Sequence, residues 1–246
     1  MSLKKFDYFV DSIYDSFFKK TNRNTQTTTL CTINDNYIPG YNVKKNDSNY
    51  FFTHINYYTM KEALKQLVLH NDKEYFTFVE TGCSAWGTKS TLLWDKFVNY
   101  YDGKVLSVDL NINNVRKTNK LTTNKTTVTH SDSLKYLPTL NEPIDFLYLD
   151  SFDVDFLNPR PSATHHLKEF DCIKHLLHKD SIILIDDTPI SPEWLDNGKN
   201  NPIYSRFKRQ FNPLVNGKGS FVINELNKIG CNNILHQYQT LWRFSA

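Results

Sequence analysis

Long hydrophobic runs are missing from this 246-residue chain, and with them any stretch able to span a bilayer as one apolar helix. The N-terminal Met-Ser-Leu-Lys-Lys-Phe-Asp also lacks the apolar core of a secretory signal, so a soluble, cytoplasmic protein is the expectation. Cysteine is scarce. Cys31, Cys83, Cys172 and Cys231 are scattered with no C-x-x-C among them, which argues against both a zinc site and a disulfide framework. A large excess of charge is lacking too: 29 basic residues against 26 acidic ones leave a formal +3, less than the basic face of a nucleic-acid binder would bring. There are no internal repeats. The length suits one α/β domain carrying an N-terminal extension, with enough chain to bury a core unaided.

What is present begins with the extension, residues 1–50. Phe6, Phe9, Val10, Ile13, Tyr14, Phe17 and Phe18 fall at helical spacing, and the Thr/Asn-rich stretch from Thr21 to Thr29 reads as a loop or linker. From residue 51 to 246, strand and helix signals alternate. Phe52 to Leu69 predicts an amphipathic helix leading into a first strand, Tyr75 to Val79. Further strands are expected at Lys104 to Asp109, Thr126 to Thr129, Ile144 to Asp150 and Ser181 to Asp186, with helices over Thr91 to Tyr101, Ala163 to His178 and Ser220 to Lys228. Nearly continuous apolar strands suit a parallel sheet covered on both faces. The last two β-rich runs, Asn233 to Gln237 and Thr240 to Phe244, lie too close together for a helical crossover and must pair as a hairpin.

The first strand runs into Glu80-Thr-Gly-Cys-Ser-Ala-Trp-Gly-Thr-Lys-Ser-Thr91, a turn with two glycines followed by a helix starting near Thr88. Such a turn sets backbone N–H groups and a helix N-terminus against a nucleotide-like ligand. It lacks the Gly-Lys-[Ser/Thr] ending of a phosphate loop, and Ser84 stands where a dinucleotide fingerprint has a glycine. The plainer reading is an ordinary βα turn. Asp109 ends the second strand roughly 20 residues later, where nucleoside-binding folds put a carboxylate on the ribose hydroxyls; it would serve equally as a helix cap.

On these residues, Glu80-Thr-Gly82, Asp109, Asp132 after the third strand and the closing hairpin, the chain from about residue 71 to 244 resembles the class I S-adenosylmethionine-dependent methyltransferases. The resemblance implies a Rossmann-like, doubly wound, mostly parallel seven-stranded sheet with a C-terminal antiparallel hairpin. It implies Glu80 and Gly82 near the methionine moiety of the cofactor, Asp109 on the ribose and Asp132 near the adenine amino group. Ser84, Gly87 and Thr88 complete the expected cofactor loop, and Asp150 closes it from the fourth strand.

Asp150 also begins an acidic cluster, joined by Asp186 and Asp187 after the fifth strand. Three hard oxygen ligands converging on one edge call for a counterion, Mg²⁺ first and Mn²⁺ or Ca²⁺ next. The pattern looks like that of the divalent-metal-dependent O-methyltransferases; the plainer reading is three aspartates capping helices. A long connector from Ser151 to Ser162 reads as an active-site lip. His165, His166, Asp153 and Lys168 are the candidates for removing the acceptor's proton, with the two histidines at a helix start as a solvated alternative. Arg206-Phe-Lys-Arg209 and Lys218 would be solvated or touch an anionic substrate.

The expected activity is therefore S-adenosylmethionine-dependent, metal-assisted O-methylation of a small-molecule or saccharide hydroxyl, with nucleic acid an unlooked-for partner. An NAD- or nucleotide-sugar-binding oxidoreductase on a similar sheet, and a non-catalytic binding subunit, remain the alternatives.

Overall fold

The computed structural model describes residues 21–22, 42–46, 49–53, 55–70, 73–83, 90–195 and 202–245. Three short antiparallel strands come first, β1 (Thr21–Asn22), β2 (Asn42–Asn46) and β3 (Asn49–Thr53), in the order β1-β3-β2. The helix expected over residues 6–18 lies outside the described residues, as does most of the loop expected over 21–29. The helix expected from Phe52 begins later, because Asn49-Tyr-Phe-Phe-Thr53 pairs with β2 and α1 spans Tyr57–His70. Aromatic side chains fit a strand as readily as a helix face, so periodicity alone ran the two together. The Asn56 carbonyl opens α1, accepting from the Met60 N–H at 3.0 Å and the Thr59 hydroxyl at 3.1 Å.

The main sheet has seven strands: β4 (Phe76–Thr81), β5 (Gly103–Asp109), β6 (Thr126–His130), β7 (Ile144–Leu149), β8 (Leu177–Ile185), β9 (Asn232–His236) and β10 (Thr240–Arg243). Their order is β6-β5-β4-β7-β8-β10-β9. The strands from β4 to β8 are parallel, and β10 lies antiparallel between β8 and β9. The expected doubly wound sheet with a closing hairpin is what forms. One boundary moves: the expected helix to His178 ends as α5 (Arg160–Ile173) and a 3₁₀ turn at Lys174–Leu176, and Leu177 already belongs to β8. Asp180, at a positive φ of 74°, bends the strand there, and the pairing with β7 shifts register between Ile144 and Phe146.

Helices α2 (Ser90–Tyr101), α3 (Ile112–Asn119), α4 (Ser133–Tyr136), α6 (Pro202–Gln210) and α7 (Ser220–Lys228) are the other α-helices of the described residues. Alternation along the strands sends side chains to two separate cores. Phe78, Phe146, Tyr148, Ile182 and Leu184 pack with α1 and α2, where Trp94 and Phe146 stand 4.7 Å apart centre to centre. Val79, Leu147, Leu149, Ile183 and Ile185 point the other way, against Phe170 and Ile173 of α5 and Val222 and Leu226 of α7. Burial on both faces accounts for the continuous apolar runs. Among the described residues no helix is long and apolar enough to cross a membrane.

The chain winds outward from β4 through β5 to β6, then returns to lay β7 on the other side of β4. In open α/β sheets ligands bind at that reversal, beyond the carboxyl ends of the strands. Backbone hydrogen bonds tie those ends together: Gly82 N–H to Val108 O at 2.8 Å, Asp150 N–H to Thr81 O at 3.0 Å and Asp186 N–H to Leu149 O at 3.1 Å.

Candidate active site

A cleft of about 1070 Å³ opens at this edge, lined among others by Gly82, Asp109, Asn111, Asn114, Asp150, Asp153, Asp186, Asp187, Lys218 and Tyr238. Gly82 sits at its centre with φ of 84°, and a Cβ there would come within 2.4 Å of the Asp150 carbonyl oxygen. Only glycine lets the β4 turn approach the end of β7 so closely.

At one end of the cleft Asp109 accepts from the backbone N–H groups of Cys83 at 3.0 Å and Asn111 at 2.6 Å. With a longer contact from Asn114 Nδ2 at 3.5 Å, these neutral donors fix the carboxylate and leave lone-pair capacity for a ligand. Glu80 does not line the cleft. Its buried carboxyl accepts from Thr91 Oγ1 at 2.5 Å, Trp94 Nε1 at 3.0 Å and Ser107 Oγ at 2.7 Å, which pins α2 and β5 to β4. Burial raises its pKa to about 7 against those hydrogen bonds. Asp132 caps α4, accepting from Leu134 N–H at 2.8 Å, and is also outside the cleft lining. Ser84, Gly87 and Thr88 lie outside the described residues.

At the other end the three aspartates do converge: one oxygen from each of Asp150, Asp186 and Asp187 lies within 4.8 Å of the others. Asp187 holds a positive φ of 42°, a strained conformation for a non-glycine residue that turns its carboxylate into the cluster. Lys218, expected at the surface, is instead 2 % exposed, with its Nζ 2.6 Å from Asp150 Oδ1 and 2.9 Å from Asp187 Oδ2. Further donors complete the shell. Tyr148 Oη reaches Asp150 Oδ2 at 3.3 Å, Tyr238 Oη reaches Asp187 Oδ1 at 2.5 Å, and Asn56 Nδ2 and Gln239 Nε2 both reach Asp186 Oδ1, at 3.1 and 3.0 Å. Burial pushes the Asp150 and Asp186 carboxyls upward, with the neighbouring acids adding to the rise and Lys218 opposing it. Burial alone would lower the Lys218 pKa; Asp150, Asp187 and Asp186 together raise it, so the ammonium stays charged.

The four candidate proton acceptors separate. Asp153 is exposed and lines the cleft. Lys168 is exposed and stands outside the cleft lining. His165 is half-buried, 3.2 Å from Glu169 Oε1 and 3.3 Å from Ser133 Oγ, with its ring against Phe152 of the lip. His166 is fully buried and faces the interior: Nδ1 lies 2.7 Å from Ser162 O, Nε2 has no hydrogen-bond partner, and burial lowers the pKa to about 4. Neither the solvated helix start nor a cleft-facing base describes it.

Sequence reading passed over Glu169, which accepts from Ser151 Oγ at 2.6 Å and Thr81 Oγ1 at 3.1 Å and so couples α5 to the ends of β4 and β7. Burial pushes its pKa up, but the His165 hydrogen bond, nearby His166 and the Ser133 and Ser151 hydroxyls outweigh it and hold it at about 2. Its signal was the i, i+4 spacing from His165 on a helix whose buried face carries Ser162 and His166.

No protein-family model matches the sequence, and no curated protein sequence does either. Solved structures do share the architecture. Methyltransferase PaMTH1 of Podospora anserina, crystallised with S-adenosylhomocysteine, aligns with a TM-score of 0.51 at 15% identity, over 76% of this chain and 79% of that one. MycE, a methyltransferase from the mycinamycin biosynthetic pathway crystallised with Mg and S-adenosylhomocysteine, aligns with a TM-score of 0.50 at 12% identity, over 78% of this chain and half, 50%, of that one. A second MycE structure, which also holds mycinamycin VI, gives 0.50 at 13% identity over 78% and 49%. With its β6-β5-β4-β7-β8-β10-β9 order and reversed β10, the chain has the fold of the class I S-adenosylmethionine-dependent methyltransferases.

Proposed function

We propose that this protein is an S-adenosylmethionine-dependent O-methyltransferase acting on a hydroxyl of a small molecule or saccharide. The observation that carries the reading is one continuous cleft running from Gly82 and Asp109 to Asp150, Asp186 and Asp187. Its volume of about 1070 Å³ is just above the roughly 300–1,000 Å³ of a ligand pocket, room for a donor and an acceptor side by side. The residues fit the donor: Gly82 lines the cleft at the turn after β4, and Asp109 keeps acceptor lone pairs for a vicinal diol.

When bound, S-adenosylmethionine supplies an electrophilic methyl on a sulfonium. Transfer would return the S–C electron pair to sulfur as the acceptor oxygen takes the methyl and gives up its proton. The protein's part is alignment and proton removal. Asp109 holds the nucleoside end in place. Asp153, alone among the four candidates in lining the cleft, takes the proton as the C–O bond forms and the oxygen turns acidic. His165 works one step removed, its imidazole bound to Glu169 and packed at a tilt against Phe152, and steadies the lip. The aspartate trio does not fit a divalent ion as it is folded, because an ammonium already bridges Asp150 and Asp187, so no step is assigned to Mg²⁺, Mn²⁺ or Ca²⁺.

Thermal melting with and without ligand tests the reading. S-adenosylhomocysteine at about 100 times its Kd should stabilise the fold by about 2.7 kcal/mol, while NAD should leave the melt unchanged; stabilisation by NAD and not by S-adenosylhomocysteine would overturn it. With an acceptor found by labelled-methyl transfer to a panel of hydroxyl compounds, Asp153→Asn should lower kcat by about 100-fold or more and leave S-adenosylhomocysteine affinity intact.

A further inference from the structure

We infer that Lys218 is a built-in cation standing where related acidic sites would carry a divalent metal, so that this site works without one. The inference deepens the methyl-transfer reading and rests on it only for what the site is used for.

The ammonium is held too closely to be incidental. Its contacts of 2.6 and 2.9 Å are hydrogen-bond lengths, and the two oxygens come from strand ends on either side of the β7–β8 junction. A metal in the same place would need those oxygens at about 2.0–2.6 Å, which the ammonium blocks. Three of the four remaining oxygens are also engaged by protein side chains: Asp150 Oδ2 by Tyr148, Asp187 Oδ1 by Tyr238, and Asp186 Oδ1 by both Asn56 and Gln239. Those hydrogen bonds hold the carboxylates in place around the ammonium.

The chain is shaped to deliver this lysine. Lys218 N–H donates to Asp187 O at 3.1 Å, and Gly219 N–H donates to Thr188 Oγ1 at 2.7 Å. A Cβ at Gly217 would fall 1.9 Å from Asp187 O, and one at Gly219 would fall 2.9 Å from Thr188 Oγ1. The Gly-Lys-Gly segment can therefore lie flat along Asp187 and Thr188 only because both flanking residues lack side chains. Behind it Ser220 Oγ accepts from the N–H groups of Asn216 and Gly217 at 2.9 and 3.0 Å, and Asn216 Nδ2 donates to Pro189 O at 2.8 Å. With its backbone fixed on both sides, Lys218 gives up little further conformational freedom to reach the carboxylates. An ammonium has three donors; two are on Asp150 and Asp187, and the third is the one an acceptor oxygen entering the cleft would meet. A positive charge next to that oxygen favours its deprotonation, the service a metal would otherwise supply.

The test uses the full chain, stripped with EDTA, and follows free Mn²⁺ by electron paramagnetic resonance. Wild-type protein should leave the Mn²⁺ signal unchanged at millimolar metal. Lys218→Met, which keeps length and removes charge, should take up one equivalent at least about tenfold more tightly than wild type, and adding Asp186→Asn should abolish that uptake. Folding is checked by circular dichroism, and Lys218→Gln serves if the methionine variant does not fold. Stoichiometric Mn²⁺ binding by wild type that Asp186→Asn removes would overturn the inference without recourse to any lysine variant. Titration with S-adenosylhomocysteine should give the same affinity with Mg²⁺ and with EDTA; a requirement for Mg²⁺ would likewise overturn it. No binding under either condition would defeat the methyl-transfer reading instead, and the Mn²⁺ result would still decide the role of Lys218.

Discussion

The two ends of the cleft hold their carboxylates by opposite means. Asp109 stands apart from other acids and is fixed by two backbone N–H groups, whereas Asp150, Asp186 and Asp187 crowd together around a buried ammonium. Behind each end lies a buried glutamate, and these two differ from each other as well. Glu80 is surrounded by neutral donors and rises to about 7, while Glu169 sits with two histidines and is held at about 2. Around Glu80 burial outweighs the neutral donors and the carboxyl drifts toward protonation, whereas the His165 hydrogen bond, His166 and two serine hydroxyls outweigh burial at Glu169; the aspartates and their ammonium form a network that fails as a unit. The Asp109 end should tolerate substitution, and the acidic end should not.

Removing the ammonium would break that contrast most severely. Lys218→Ala leaves Asp150 and Asp187 facing each other and Asp186 with no cation among the described residues, and loss of one partner from a buried ion pair costs roughly 3–5 kcal/mol. Urea denaturation should show the loss, and adding Asp186→Asn to the alanine variant should recover part of it by removing one of the repelling charges. A variant as stable as wild type would mean that the trio does not need its lysine.

Much of this was legible in the residues, and what was not has a physical reason. The strands announced themselves because burial on both faces demands unbroken apolar runs, and Asp109, Asp150 and Asp186 marked where those runs end. Lys218 was misread because its partners come from strand ends far away in sequence, and a lysine's ordinary place is solvent. The available sign was glycine on both sides of it, in a chain with only 8 glycines. Tyr238 and Gln239 fall in the hairpin turn, where polar residues look like turn chemistry until β10 is seen to carry them over the acids. His166 reads as a helix-start residue, yet lies on the same face as Ala163 and Phe170 and belongs to the interior.

The glutamate comparison is sharpened by pH. Glu80 rises from 4.5 to about 7 on folding, so between those values the folded state binds more protons than the unfolded one, and stability falls as pH rises. The full displacement corresponds to about 3 kcal/mol. Glu169 works in the opposite sense and a lower window: its contribution is present above pH 4.5 and is lost as pH falls toward about 2. His166, lowered from 6.5 to about 4, stabilises as pH rises across the upper window and masks Glu80 in the raw profile. Subtracting the Glu80→Gln profile from that of wild type removes the shared histidine contribution. The difference should decline with rising pH between 4.5 and 7, and a flat difference would show that the carboxyl is ionised throughout.

Asp109→Ala should give the smallest change. The carboxylate accepts from two backbone N–H groups, of which the Asn111 bond belongs to an exposed turn where water can replace it. The Cys83 bond is recessed, and its loss sets the stability cost at about 1 kcal/mol. Affinity should suffer more than folding, because a ligand diol loses its acceptor: S-adenosylhomocysteine should bind about 10- to 100-fold more weakly, or about 1.4–2.7 kcal/mol, by calorimetric titration. Asp109→Asn keeps an acceptor oxygen but substitutes a donor for the other, so it should fall between alanine and wild type. If both variants bound as wild type does, the nucleoside would have to lie elsewhere in the cleft, and the isolation of Asp109 from the other acids would reflect only its place at the start of α3.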